Sequence, residues 1–172
     1  MRKTAAILAF LMLLFTAAIL YAQLGDIITF EAADLDGRPV TEALFAENKI
    51  TMINIWGTFC PPCIREMPDL GRLSADYKGK GVQIVGVVID AMDRFGNVDN
   101  KIKDDAYKII DKTKANYLHI VPTIAMFYGF LRDVQVVPTT IFVDSSGRQI
   151  GEAYLGSRSY KDWKKIIDKF LK

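Results

Sequence analysis

The chain contains two nearly continuous apolar runs, separated by a segment in which apolar residues recur at helical spacing. The runs at residues 50–56 and 82–89 predict strands that are buried on both faces. Between them Ile64, Met67, Leu70, Leu73 and Tyr77 share one face of a predicted helix. Because the order is strand, helix, strand, the pattern predicts a right-handed βαβ unit with a parallel pair of strands.

The rest of the pattern ends in a hairpin and a helix. Residues 139–143 and 148–154 flank a Ser-Ser-Gly turn, which predicts the hairpin. Ser159 with Asp162 three residues later predicts the start of the last helix. The weaker predictions are a strand at 27–33, a turn at 36–37, a loop at 97–105, a helix at 106–114, a strand at 117–121 and an ambiguous apolar segment at 124–131.

The N-terminal segment is typical of an exported protein. Arg2 and Lys3 precede an uncharged run at residues 4–22, which as a helix would be about 28 Å long, close to the thickness of a bilayer core. Residues 1–22 are therefore predicted to be a signal peptide, cleaved after Ala22, or an N-terminal membrane anchor. Both alternatives predict an extracytoplasmic domain at residues 27–172, either held at the membrane or secreted or periplasmic.

The charge balance argues against nucleic acid as a partner. With Arg2 and Lys3 set aside, 20 basic and 20 acidic residues remain. A net charge of zero gives no basic field to hold a phosphate backbone.

The two cysteines of the chain lie in a Cys-Pro-Pro-Cys sequence, where the first apolar run gives way to the predicted helix. Cys60 and Cys63 with His119 fall short of the four ligands of a structural zinc site. A purely structural disulfide would close a very short loop, and a copper site would need His119 as its third ligand. A redox-active dithiol is favoured, because a helix start stabilises a thiolate and Pro61 fits the first helical turn.

The same loop predicts the direction of electron transfer. It contains no histidine or lysine that would strongly stabilise the thiolate, and therefore the dithiol state. This argues for a reductant or a mid-range exchanger over a strong oxidant.

The sequence Trp-Gly-Thr-Phe-Cys-Pro-Pro-Cys at 56–63, with Glu66 and Pro68 after it, resembles the TlpA/ResA-like thiol–disulfide oxidoreductases of thioredoxin fold. Val-Val-Pro-Thr-Thr at 136–140 and Val-Asp-Ser-Ser-Gly at 143–147 extend the resemblance, which covers residues 27–172. It implies an α/β fold with a central mixed β-sheet flanked by helices. Because Cys63 and Pro138 lie 75 positions apart, a TlpA-type insertion is expected at residues 90–131, before the cis-proline segment.

The resemblance also implies roles for individual residues. Cys60 is expected to attack the substrate disulfide and Cys63 to resolve the mixed disulfide, while Glu66 tunes the thiols and relays protons. Pro138 is expected to be cis and to present the Val137 backbone to a substrate strand. The substrate-contacting residues are expected to include Phe59 and Trp56.

The expected partners are protein disulfides, apocytochrome c among them, and a membrane thiol donor. No bound cofactor or metal is expected, and the domain is expected to be a monomer. Two alternatives remain, a copper metallochaperone and a thiol peroxidase. The first normally spaces its cysteines by three residues, and the second carries Thr or Ser where this chain has Gly57. His119 is expected to be a strand residue without chemistry, and Asp90, Asp93 and Asp99 to form a solvated turn.

Overall fold

A computed structural model describes residues 27–172 and, before them, residue 12 alone. Apart from residue 12, the predicted signal peptide or anchor at 1–22 lies outside the described residues. In the described part of the chain, no helix has both the length and the apolar composition needed to cross a bilayer.

Residues 27–172 contain one mixed sheet of seven strands, in the order β2-β1-β5-β4-β3-β6-β7. The strands are β1 (Glu31–Asp34), β2 (Pro39–Thr41), β3 (Ile50–Trp56), β4 (Val82–Val88), β5 (Leu118–Val121), β6 (Thr139–Asp144) and β7 (Gln149–Leu155). The helices are α1 (Pro61–Tyr77), α2 (Asn100–Thr113), α3 (Ile124–Tyr128) and α4 (Tyr160–Phe170), with a 3₁₀ helix at Glu42–Glu47.

Strand β3 lies inside the sheet and is buried along its whole length, as its nearly continuous apolar sequence predicts. It pairs in parallel with β4 and antiparallel with β6. The predicted βαβ unit and the β6–β7 hairpin are therefore confirmed. Alternate β3 residues face opposite layers: Ile53 and Ile55 pack with Phe45 and Met126, whereas Trp56 packs with Met67 of α1.

Several of the weaker predictions need correction. Strand β1 begins at Glu31, four residues later than predicted, and β2 gave too short a signal to be recognised. Helix α2 begins at Asn100 inside the predicted loop, because the Asp99 carboxylate accepts the N–H groups of Lys101 and Ile102 and caps the helix. The ambiguous segment at 124–131 contains the short helix α3.

The segment between residues 90 and 131 contains α2, β5 and α3. Strand β5 lies between β1 and β4, so the segment widens the sheet on that side. A helix and a strand are the elements that the predicted insertion would contain, and its TlpA type stays a prediction.

A row of buried polar residues crosses the sheet beneath α1. Asn54 on β3 is paired with Thr140 on β6 and with Gly86 on β4, and Gly86 is paired in turn with His119 on β5. Asn54, Thr140 and His119 are all buried. At Gly86 the row has room for no side chain, since a Cβ atom there would lie 2.3 Å from His119 Nδ1. The row therefore places polar groups in the interior next to the Cys-Pro-Pro-Cys segment.

Candidate active site at the Cys60–Cys63 disulfide

The two cysteines form a disulfide at the start of α1, with an S–S distance of 2.02 Å. Cys60 is the N-cap residue and its Sγ accepts the Cys63 N–H at 3.3 Å, while Pro61 and Pro62 occupy the first two helical positions. Proline is tolerated there because the first helical N–H groups have no partner within the helix. Cys60 keeps 4% of its surface exposed and Cys63 none, so an incoming group reaches Cys60 first.

The disulfide lies at the C-terminal ends of the parallel inner strands β3 and β4. Asp90, two residues after β4, accepts hydrogen bonds from the Thr58 N–H at 3.1 Å and from the Thr58 Oγ1 at 2.5 Å. It therefore fixes the segment that leads into Cys60. The expectation that Asp90 belongs only to a solvated turn is wrong, because its carboxylate is used within the fold.

Glu66 is buried one helical turn after Cys63, with only 3% of its surface exposed. Its carboxylate accepts hydrogen bonds from Asn54 Nδ2 at 3.0 Å, from the Arg158 N–H at 3.0 Å and from Trp163 Nε1 at 3.1 Å. Burial raises the pKa of Glu66 above its ordinary value, and the three donors oppose that rise. The structure thus excludes a solvent-facing acid at this position, and the proposed effect on the thiols remains a prediction.

The Val137–Pro138 peptide bond is cis, as the resemblance implies. Val137 packs against the cluster that contains Cys60 and Cys63. Thr139 Oγ1 donates to the Val136 carbonyl, and the Gly156 N–H donates to the Pro138 carbonyl. Among the described residues, no hydrogen bond engages the Val137 N–H or carbonyl.

The two aromatic residues before the disulfide have opposite environments. Phe59 is 66% exposed, and its ring folds over Gly57, where a Cβ atom would lie 2.5 Å from Phe59 Cε1. Trp56 is fully buried, and its Nε1 donates to His119 Nδ1 at 3.2 Å. The assignment of Trp56 as a substrate-contacting residue needs correction, because no part of its surface is open to a substrate.

His119 is held with both ring nitrogens in use. Nδ1 accepts from Trp56 Nε1, and Nε2 lies 3.0 Å from the Ala115 carbonyl, to which it donates in this tautomer. Burial lowers the pKa of His119 to about 4, so the ring is neutral near pH 7. This arrangement leaves no ring nitrogen for copper. Among the described residues, no group of three His, Cys, Asp or Glu side chains is placed to hold a metal ion.

The burial of His119 predicts a loss of stability in acid. Its pKa in the folded state, about 4, lies below the ordinary value of 6.5, so the unfolded chain binds the proton more readily. The stability that the neutral, buried His119 ring contributes is fully present above pH 6.5. As the pH falls towards 4, the free energy of unfolding is expected to decrease by about 3 kcal/mol. Urea unfolding of wild type and His119→Gln between pH 7.5 and 4 measures it. We expect the difference between the two proteins to change over this range, and a constant difference would contradict the assignment.

Comparison with known proteins identifies relatives of the same chemistry. A model of the AhpC/TSA family matches residues 25–154. A thiol-disulfide oxidoreductase ResA from Halalkalibacterium halodurans is 28% identical over 152 residues, which cover 84% of this chain and 72% of the relative. A protein with the same description from Bacillus thuringiensis (strain Al Hakam) is 31% identical over 146 residues, which cover 83% of this chain and 73% of the relative.

A solved structure supports the fold. The crystal structure of a thiol:disulfide interchange protein of the thioredoxin family from Chlorobium tepidum matches with a TM-score of 0.70 at 22% identity, covering 86% of this chain and 97% of the other. The predicted mixed sheet flanked by helices is thereby confirmed as a thioredoxin-like fold. From the family match, the relatives and the cysteine pair at bonding distance, the chain belongs to the AhpC/TSA family and is a thiol–disulfide oxidoreductase of the ResA-like type.

Proposed function

We propose that this oxidoreductase acts outside the cytoplasm and reduces disulfides in protein substrates. The observation that carries the proposal is the position of the Cys60–Cys63 pair: at a helix start, without a cation in the loop, and one turn from the buried acid Glu66. A cation beside Cys60 would stabilise the thiolate and make the disulfide oxidising. Here the helix start alone favours the thiolate, so the dithiol gives up its electrons more readily.

The reaction proceeds in two exchanges. The Cys60 thiolate attacks one sulfur of the substrate disulfide, a mixed disulfide forms, and the other substrate sulfur leaves as a thiolate. Cys63 then loses its proton and attacks the Cys60 sulfur, which releases the second substrate thiolate and restores the Cys60–Cys63 disulfide. Two electrons have passed to the substrate. Glu66 is the carboxylate one helical turn away that takes the Cys63 proton.

The free backbone groups of Val137 supply a docking point for the substrate. An extended segment that pairs with the Val137 N–H and carbonyl would lie beside Cys60, because Val137 packs against the disulfide cluster. The exposed ring of Phe59, which precedes Cys60 in the chain, adds an apolar contact for the substrate. This surface would bind a substrate mainly through backbone hydrogen bonds and would depend little on the side chains of the substrate. Apocytochrome c is one of the substrates that it would accept.

The proposed cycle needs an electron donor outside the cytoplasm. A membrane thiol protein is the donor class that fits, since an extracytoplasmic domain has no access to the soluble reducing systems of the cytosol. Residues 1–22, as an anchor, would keep the domain close to that donor. Monomeric action is sufficient for both steps, because both cysteines belong to one chain.

The reduction potential tests the direction of transfer. Equilibration with glutathione and thioredoxin couples is expected to give a value near that of thioredoxin, about −270 mV, because no cation stabilises the Cys60 thiolate. A value near −120 mV, typical of a strong oxidant, would show that the protein inserts disulfides.

Two control measurements address the alternatives. Consumption of hydrogen peroxide by the reduced protein at a rate that exceeds its thiol exchange would favour a thiol peroxidase. Copper that stays bound after purification in the wild type and is lost in Cys60→Ser would favour a metallochaperone.

A further inference from the structure

Two buried polar atoms lack hydrogen-bond partners among the described residues: Asn54 Oδ1, which belongs to the amide that donates to Glu66, and the Tyr117 hydroxyl. Asn54 is fully buried, and its Nδ2 donates both hydrogens, to Glu66 Oε1 and to Thr140 Oγ1, each at 3.0 Å. A buried carbonyl oxygen without a donor is costly, and native structures contain few of them. The Asn54 amide is therefore satisfied on one side only.

The unpartnered oxygen has a use once Glu66 carries a proton. In the charged state, Glu66 accepts three hydrogen bonds and has nothing to donate. In the neutral state, its new hydroxyl group needs an acceptor, and each of the three neighbouring groups is a donor. The Arg158 N–H and the Trp163 indole can only donate, whereas an asparagine amide has a donor end and an acceptor end.

We propose that the Asn54 carboxamide is a positioning residue for proton transfer at this site, and that it rotates by half a turn when Glu66 is protonated. After the rotation, Asn54 Oδ1 accepts the Glu66 hydroxyl. It also accepts the Thr140 hydroxyl, which turns from acceptor to donor. The amide thus keeps its hydrogen bonds with Glu66 and Thr140 in both protonation states of Glu66. After the rotation, Nδ2 occupies the position that the unpartnered Oδ1 held.

This role rests on the proposed function, in which Glu66 takes the Cys63 proton and must later release it. A carboxyl group whose neutral form alone is stabilised would not release its proton, and one whose charged form alone is stabilised would not take up a proton. Among the described residues, Arg158, which precedes the N-cap of α4, and Tyr117, which precedes β5, interact electrostatically with Glu66. Burial together with the Glu66 charge raises the pKa of Tyr117, so its hydroxyl group stays protonated near pH 7 and does not take up the Glu66 proton.

The test compares two variants in the oxidised protein, where no thiol titrates and no substrate is needed. Trp163→Phe removes a group that can only donate, so the charged form of Glu66 loses a partner and its pKa is expected to rise by about 1 to 2 units. Asn54→Ala removes a partner of both forms, so the pKa of Glu66 is expected to stay within about 0.3 unit of wild type. The carboxyl ¹³C signal of Glu66 reports both titrations.

A second measurement needs no change at Asn54. In ¹H–¹⁵N spectra of the wild type, the Asn54 side-chain amide signals are expected to shift with the same midpoint as the Glu66 carboxyl signal, and this shift is expected to be absent in Glu66→Gln. An equal rise of the Glu66 pKa in Asn54→Ala and Trp163→Phe, or Asn54 signals that stay fixed while Glu66 titrates, would overturn the proposal. Insulin reduction measured in parallel is separate: its absence in the wild type would reject the proposed reductase and leave the titration results standing.

Discussion

Cys63→Ser is expected to trap the protein in a mixed disulfide with its substrate, whereas Cys60→Ser is expected to lose exchange activity altogether. The reason is the unequal access to the two sulfurs: Cys60 caps the helix and keeps some exposed surface, while Cys63 is fully buried one turn further on. A substrate sulfur can therefore bond only to Cys60. Without Cys63, nothing displaces the substrate from it.

Purification of Cys63→Ser from cells, followed by non-reducing electrophoresis and mass spectrometry, measures the trapped species and identifies the partner. The double variant Cys60→Ser/Cys63→Ser is the control for non-covalent association. Covalent partners captured by Cys60→Ser and not by Cys63→Ser would reverse the assigned roles of the two cysteines.

Gly86→Ala is expected to destabilise the domain by about 3 kcal/mol, among the larger losses that one added methyl group causes in a packed core. The added Cβ atom would lie 2.3 Å from His119 Nδ1 and 3.0 Å from Trp56 Nε1. The His119 ring cannot move away, because both of its nitrogens are hydrogen-bonded and its strand is paired on both sides.

Urea midpoints of Gly86→Ala, His119→Ala and the double variant measure this clash. The smaller side chain at residue 119 should remove most of the contact, so the double variant is expected to be more stable than the sum of the two single effects predicts. Strict additivity would show that Gly86 is required for another reason, such as backbone freedom in β4.

The central strands and the cysteine pair could be predicted from the sequence because each has a strong local signal. Strand β3 is a nearly continuous apolar run, and the apolar residues of α1 recur at helical spacing. Two cysteines separated by two residues at the junction of these elements have few chemical uses. The last helix was equally clear, and Ser159 does cap it by accepting the Asp162 N–H.

The partners of Glu66 could not be predicted in the same way. Asn54 gave a weak signal, a single amide inside an apolar strand, and its meaning depends on which residue faces it. Trp163 and Arg158 gave none, since their contacts with Glu66 join positions 97 and 92 residues apart. The burial of Trp56 could not be predicted either, because an aromatic residue close to a reactive cysteine gives the same sequence pattern whether it lies at the surface or in the core.

The position of α4 has a consequence for local opening of the fold. Two of the three donors to Glu66 come from this helix and the residues just before it, at positions 163 and 158. Detachment of this segment would leave the Cys60–Cys63 disulfide intact, whereas Glu66 would keep only the Asn54 donor. Partial opening of α4 would therefore change the surroundings of the acid without breaking the bond between the two sulfurs.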